Sequence, residues 1–376
     1  MKSTYAILQA GYRASGDERR KSEADKEPAY RGGSVGIVLT SDGDMSTGYD
    51  TAGTCQRRAL ARYWGSPQVE TADDDPMQIM FEGGLVNEDL WCALLDKGLP
   101  DGWSYKREEE VPVVWYTDAM TPVTGRPDII LFDEKGKPVR GLELKTVNSV
   151  WVARDALLEC KPKLINLIQS AHYSMKHDIP WELWYTNRSN FTAEEWALRI
   201  LPDWGDKGSE YLKYSLGTYA QDGVYKSGKR KGEPKWVFRK IEVPEAHRGL
   251  SAPELKDQYG VTHGRFRNIQ PFHYGYELQW GEGGQFQYRP LDEPDSDWIG
   301  TPITKENITS FYNLLDKLQE TKDLGPRPLE LSATGEEKKG WSPCTYCPLS
   351  LSCDKYDEGT LDYEGWKKEV QKPDDN

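Results

Sequence analysis

Apolar and polar positions alternate over several short runs in this chain, and stripes with helical spacing stand between them. Residues 12–33 break both patterns with charged and small polar side chains, and read as a loop or mobile arm. Ser34 to Thr40 reads as a strand that ends at the turn Ser-Asp-Gly-Asp. Residues 54–64 predict a helix, the stretch Thr-Ala-Asp-Asp-Asp-Pro an acidic loop, and residues 76–96 a second helix. Strands follow at 111–117, 127–133 and 139–147, the last two joined by Asp-Glu-Lys-Gly-Lys-Pro, a good hairpin turn. A long amphipathic helix is expected over 153–177, with Leu164, Leu167, Ile168, Ala171 and Met175 on one face. Strands at Trp181 to Thr186 and at 195–201 come next. The stretch 203–300 is rich in Gly, Tyr and Trp, and reads as an insertion of hairpins and loops. A helix returns over 304–322, with Ile308, Phe311, Tyr312, Leu315 and Leu318 facing a core. Helices alternating with a strand meander make this a mixed α/β chain.

Composition adds two constraints. The 376 residues carry 48 Lys plus Arg against 61 Asp plus Glu, a net charge of −13. That excludes a protein that coats nucleic acid through bulk positive charge, though a local basic groove remains open. No stretch approaches the roughly 20 apolar residues of a membrane span, and the N-terminus lacks a signal-peptide core, so a soluble, cytoplasmic protein is expected. Six cysteines remain, and three crowd into Cys344-Thr-Tyr-Cys347-Pro-Leu-Ser-Leu-Ser-Cys353. That spacing is too cramped for a disulfide framework and suits thiolates converging on a soft metal. A fourth ligand is needed. Cys55, at a predicted helix start rich in arginine, is the best candidate, whereas Cys92 and Cys160 lie in apolar helical patterns as small buried hydrophobes.

The central hairpin carries the candidate chemistry. Asp128 opens one strand, and Glu143 and Lys145 stand two apart on the next, so the latter pair shares a face. Two carboxylates there suit a hard divalent cation, and an adjacent lysine can orient a water for phosphodiester hydrolysis. The acid-x-Lys triplet alone is weak: Asp133-Glu-Lys135, Glu233-Pro-Lys235 and Glu320-Thr-Lys322 match it too. Context separates Glu143-Leu-Lys145, since a charged pair inside an apolar strand is costly unless it is paired or exposed in a site. The plain alternative is a hairpin with an ordinary Glu–Lys pair on its exposed face.

Residues 125–146 resemble the PD-(D/E)XK nuclease superfamily, with Asp128, Glu143 and Lys145 as its motif. Gln169 and Tyr173 form a Q-x3-Y pair similar to that of the RecB-like exonuclease branch, and Gly84-Leu-Val-Asn-Glu88 resembles that branch's G-x3-H/E motif with Glu for the usual His. One cysteine before these motifs and C-x2-C-x5-C after them resembles the iron–sulfur members, which include the AddB nuclease domain and the CRISPR-associated adaptation nucleases. The resemblance implies a restriction-endonuclease-like core whose mixed sheet is flanked by helices, with a Cys-rich segment joining its two ends. The implied layout is an arm and strand over 1–50, a nuclease core over 51–202, an insertion over 203–303, a helix and cluster segment over 304–356, and a charged tail over 357–376.

The same resemblance implies Mg²⁺ or Mn²⁺ held by Glu88, Asp128, Glu143 and the carbonyl of Leu144. It implies catalysis by Asp128, Glu143 and Lys145, with Gln169 and Tyr173 also catalytic and steering the DNA. A [4Fe–4S] cluster on Cys55, Cys344, Cys347 and Cys353 is implied, with zinc as the competing occupant. Arg57, Arg58 and Arg62, and the basic segment 226–232, are candidates for gripping phosphate, with a solvated helix face and a flexible turn as the alternatives. The expected activity is exonucleolytic hydrolysis of DNA, on single strands or ends, in replication, recombination, repair or CRISPR adaptation. No Walker A motif is present, so a helicase or other motor would be a separate partner. Two other readings stay open: a nuclease-fold subunit that binds DNA or a partner with little chemistry, and a zinc-dependent DNA-binding module.

Overall fold

A computed structural model describes residues 28–31, 36–40, 50–70, 75–107, 110, 112–147, 161–187, 217–227, 231–240, 273–291, 294–327, 344 and 347–372. Most of the expected arm, the acidic stretch 71–74, the helix start at 153–160 with Cys160, the strand at 195–201 and the basic positions 228–230 lie outside the described residues.

The chain opens with β1 (Tyr30–Arg31), β2 (Gly36–Thr40) and β3 (Asp50–Gly53), then α1 (Gln56–Tyr63), α2 (Pro67–Glu70) and α3 (Asp75–Gly98). Five strands follow: β4 (Ser104–Arg107), β5 (Val113–Tyr116), β6 (Pro122–Gly125), β7 (Ile129–Phe132) and β8 (Pro138–Val147). Helix α4 (Leu164–His177) leads to β9 (Trp181–Asn187). Strands β10 (Gly217–Val224) and β11 (Pro234–Lys240) form a hairpin. The chain ends with β12 (His273–Trp280), β13 (Gln285–Pro290), β14 (Ile299–Thr304), α5 (Lys305–Thr321), α6 (Ser350–Asp357) and α7 (Tyr363–Val370).

Seven strands form one mixed sheet in the order β14-β13-β12-β9-β8-β7-β4. Neighbours run antiparallel except β8 and β9, which are parallel. A parallel pair needs a crossover, and α4 lies in the connection between them. Strands β12 to β14, expected within an insertion of hairpins, are hairpin strands that extend this central sheet through β9. Short β1, β6 and β5 make a separate sheet, and β2 pairs with β3.

The sheet buries both faces by the period-2 rule. Ile129, Leu131, Leu142 and Leu144 form an apolar cluster with Cys92 of α3. Val147, Leu183 and Tyr185 join the larger cluster that contains Leu164, Leu167, Ile168, Ala171 and Tyr173 of α4. The expected stripe of α5 is fully buried, and Thr304 caps that helix by accepting from Asn307 N at 3.0 Å. Helix α4 begins at Leu164, with Lys163 extended as its cap (φ −63°, ψ 131°), and Lys161 and Pro162 precede it outside any helix. Proline disfavours helical backbone in the residue before it, which explains why the long helix expected from 153 does not run through this point. The charged tail likewise has more structure than its charge suggests: Tyr363, Trp366 and Val370 recur at helical spacing and α7 buries all three.

Candidate active site

Register builds the carboxylate site. Ile129 pairs with Leu142, so Asp128, one step earlier, stands opposite Glu143. Because Leu142 and Leu144 face α3, Glu143 and Lys145 project to the other face, toward α4. Asp128 Oδ2 accepts from the Leu144 backbone N–H at 2.6 Å. Lys145 Nζ donates to Glu143 Oε1. Glu143 is 0 % exposed, and its other oxygen, Oε2, is buried without a hydrogen-bond partner. A buried carboxylate oxygen left unpaired is costly, and it is the kind of donor a divalent cation takes.

The electrostatics agree with that geometry. Burial, and then repulsion from Asp128, pushes the Glu143 carboxyl up to about 8 against the pull of Lys145. Burial also raises Asp128, while Lys145 and the Leu144 amide favour its charged form. Burial works against the Lys145 charge, but Glu143 and Asp128 outweigh it and hold the ammonium above the ordinary lysine range. Lys145 therefore stays charged at neutral pH, a cation rather than a base.

The other expected residues fall at different distances from this centre. Glu88 on α3 is near enough to raise Glu143, and its Oε2 lies 3.4 Å from Arg107 Nη2. Gln169 Nε2 donates to the Tyr173 hydroxyl at 3.1 Å, one turn along α4. Tyr173 is 2 % exposed and feels both Glu143 and Asp128, so it underlies the carboxylates rather than lining an open surface. Gly125 makes room for it: a Cβ there would sit 2.5 Å from the Tyr173 ring. His172, on another face of α4, is held neutral by burial, with its pKa lowered to about 3.

Sequence reasoning missed Tyr185. It pairs with Lys145 across the parallel β8–β9 ladder, and its hydroxyl accepts from Lys163 N at 3.0 Å and Asn166 Nδ2 at 2.9 Å. Only the register reveals that this phenol ties the start of α4 to the lysine.

The cysteines gather at the opposite ends of the sequence. Cys55 caps α1, Cys353 lies on α6, and Cys347 N donates to Cys344 O at 3.1 Å in the turn before α6. Burial pushes the Cys55 thiol up to about 12; Cys353 and Cys347 are close enough to add to that rise, and the backbone N–H groups of Arg58 and Arg57 oppose it. None of Cys344, Cys347, Cys353 and Cys55 is in a disulfide, nor is buried Cys92 in the smaller core cluster. Thiols are donors that suit a soft metal. Among the described residues, however, no three His, Cys, Asp or Glu side chains form a ready single-ion site, at the thiols or at the carboxylates.

The arginines beside Cys55 diverge. Arg58 is exposed and Arg62 half-buried, with Nη2 3.5 Å from Val69 O. Arg57, expected to grip phosphate, is 3 % exposed and bonded within the protein, because its partners Gly325 and Asp357 arrive from the far end of the chain. Lys226 and Lys231 are exposed at the tip of the β10–β11 hairpin. No helix among the described residues is long and apolar enough to cross a membrane. Comparison with protein families, curated proteins and solved structures finds no match to this chain.

Proposed function

We propose that this chain is a divalent-metal-dependent deoxyribonuclease with a restriction-endonuclease-like core, working at the Asp128–Glu143–Lys145 site. The observation that carries this reading is the buried, unpartnered Glu143 Oε2 beside a second, half-buried carboxylate, Asp128, and a lysine that stays charged. Asp128, Glu143 and the Leu144 carbonyl would hold Mg²⁺ or Mn²⁺, which when bound supplies Lewis-acid charge and an acidified water. Lys145 would offset charge growing on the phosphate oxygens in the transition state. Tyr173, fixed by Gln169, and Tyr185 keep the lysine face ordered and shield it from bulk water. Exposed Arg58, Lys226 and Lys231 supply charge for the DNA backbone outside that pocket. Cys55, Cys344, Cys347 and Cys353 would carry an iron–sulfur cluster that ties the two ends of the core together. An ATP-driven motor, where one is used, would be a separate partner.

The test is digestion of end-labelled single- and double-stranded DNA with Mn²⁺ by wild type and Lys145→Ala. Wild type is expected to release nucleotides, and the variant to be slower by about 100-fold or more. Equal amounts of intact DNA in both would defeat the enzyme reading and leave a binding subunit.

A further inference from the structure

Arg57 is the least conventional charge in the molecule. Its side chain is 4 % exposed, and its Nε donates to Gly325 O at 3.1 Å. Nη2 donates to the same carbonyl and to Asp357 Oδ1 at 2.7 Å, and the guanidinium lies 5.4 Å from the centre of the Tyr356 ring. Asp357 is shared with Arg327, whose Nε lies 2.7 Å from Oδ2 and whose Nη2 also holds Asp354. Two arginines and two aspartates thus balance in charge. One donor is left over: Arg57 Nη1 is buried without a hydrogen-bond partner.

The guanidinium stands beside the Cys353 thiol, whose ionisation it favours against burial. Cys353 and Asp357 are four residues apart on α6, hence on one face, and Arg57 reaches that face to pair with Asp357. From the other side, Cys55 precedes Arg57 by two residues and caps the same helix. Neutral thiols are poor acceptors, so a buried guanidinium with a free N–H beside them gains little. Metal-bound thiolates are anionic and accept strongly.

We infer that Arg57 is a positioning residue of the cysteine centre, donating to the Cys353 sulfur and stabilising the negative charge of a thiolate-held cluster. The inference rests on the cluster reading above. It explains why an arginine beside Cys55 is withdrawn from solvent, and it couples cluster loading to the clasp between α1 and α6. Reduction adds negative charge to a cluster, so a neighbouring cation favours the reduced form and raises the potential. Donors behind metal ligands also hold the metal, and their loss typically costs about 10- to 100-fold in affinity.

The full chain, purified without oxygen, is to be analysed for iron per chain, reduction potential by spectroscopic titration, and iron release to a chelator. Arg57→Gln is expected to lower the potential and to speed iron release about tenfold. Arg57→Lys, which keeps the charge with poorer geometry, should fall between. Asp357→Asn removes the ion pair but not the guanidinium, and should move the potential less than Arg57→Gln does. If Arg57→Gln does not fold, Arg57→Lys decides. Wild-type potential and release rate in the folded arginine variants would overturn the inference while leaving the cluster intact. A wild-type chain that binds no iron would overturn the cluster reading and the inference with it.

Discussion

The carboxylate site and the cysteine centre are built by opposite means. Asp128, Glu143 and Lys145 come from one hairpin, placed by strand register and covered by the helix that follows. Cys55 and Cys353 are brought near each other by contacts between distant parts of the chain, among them those of Arg57 with Gly325 and Asp357, 268 and 300 positions away. A site made by register stores its tension in a side chain: Glu143 is buried, repelled by Asp128 and left with an open oxygen. A site made by long-range clasping has its own local cost in the unpartnered Arg57 Nη1, but it depends first on the ends staying together. The two should therefore fail differently.

The sharpest way to break this contrast is to damage each centre in turn. Glu143→Gln is expected to lower the DNA cleavage rate about 100- to 1,000-fold. Its melting temperature near pH 7 should stay close to that of wild type, since a carboxyl pushed up to about 8 already keeps its proton there and the amide replaces a neutral group of the same shape. Cys353→Ala should instead lose bound iron and melt several degrees earlier, with activity falling because the fold loosens. Paired assays of cleavage and thermal melting check both. Equal destabilisation by the two substitutions would erase the distinction.

A second prediction follows from the sign of the Glu143 shift, from an ordinary 4.5 to about 8. Between those values the folded chain keeps a proton that the unfolded chain has released, so metal-free stability falls as pH rises through that window. A cation that takes the proton's place should bind more tightly as pH climbs toward and past the upper value. In chelator the melting temperature should be lower near pH 8 than near pH 6, and added Mg²⁺ should raise it more near pH 8. The smallest effect belongs to Gly125→Ala. Its Cβ would press on Tyr173, at a cost of about 1–3 kcal/mol and a modest loss of cleavage, with iron content unchanged.

The same contrast explains what the sequence could reveal. The hairpin is legible because apolar alternation and a strong turn set its register, which also puts Glu143 and Lys145 on one face. Its finer features are not: the Leu144 amide on Asp128 and the pairing of Tyr185 with Lys145 exist only once β8 and β9 are side by side. Strands β4 and β6 are four residues each, and β6 starts at Pro122, so neither carries a clear periodic signal. Strands β12 to β14 show their hairpin character in sequence, but their docking on β9 is a long-range choice. Arg57 looked like a surface charge because every partner that buries it is distant in the chain. The helical stripe of α7 was hidden by charge, although Tyr363, Trp366 and Val370 keep the spacing.

The central claim is that Glu143 Oε2 is a metal ligand in waiting. An anomalous-difference map from crystals of the full chain soaked in Mn²⁺ tests it directly. A peak within ligand distance of Glu143, Asp128 and the Leu144 carbonyl is predicted, absent in Glu143→Gln crystals. No peak at saturating Mn²⁺, with Glu143 still paired only to Lys145, would contradict the account.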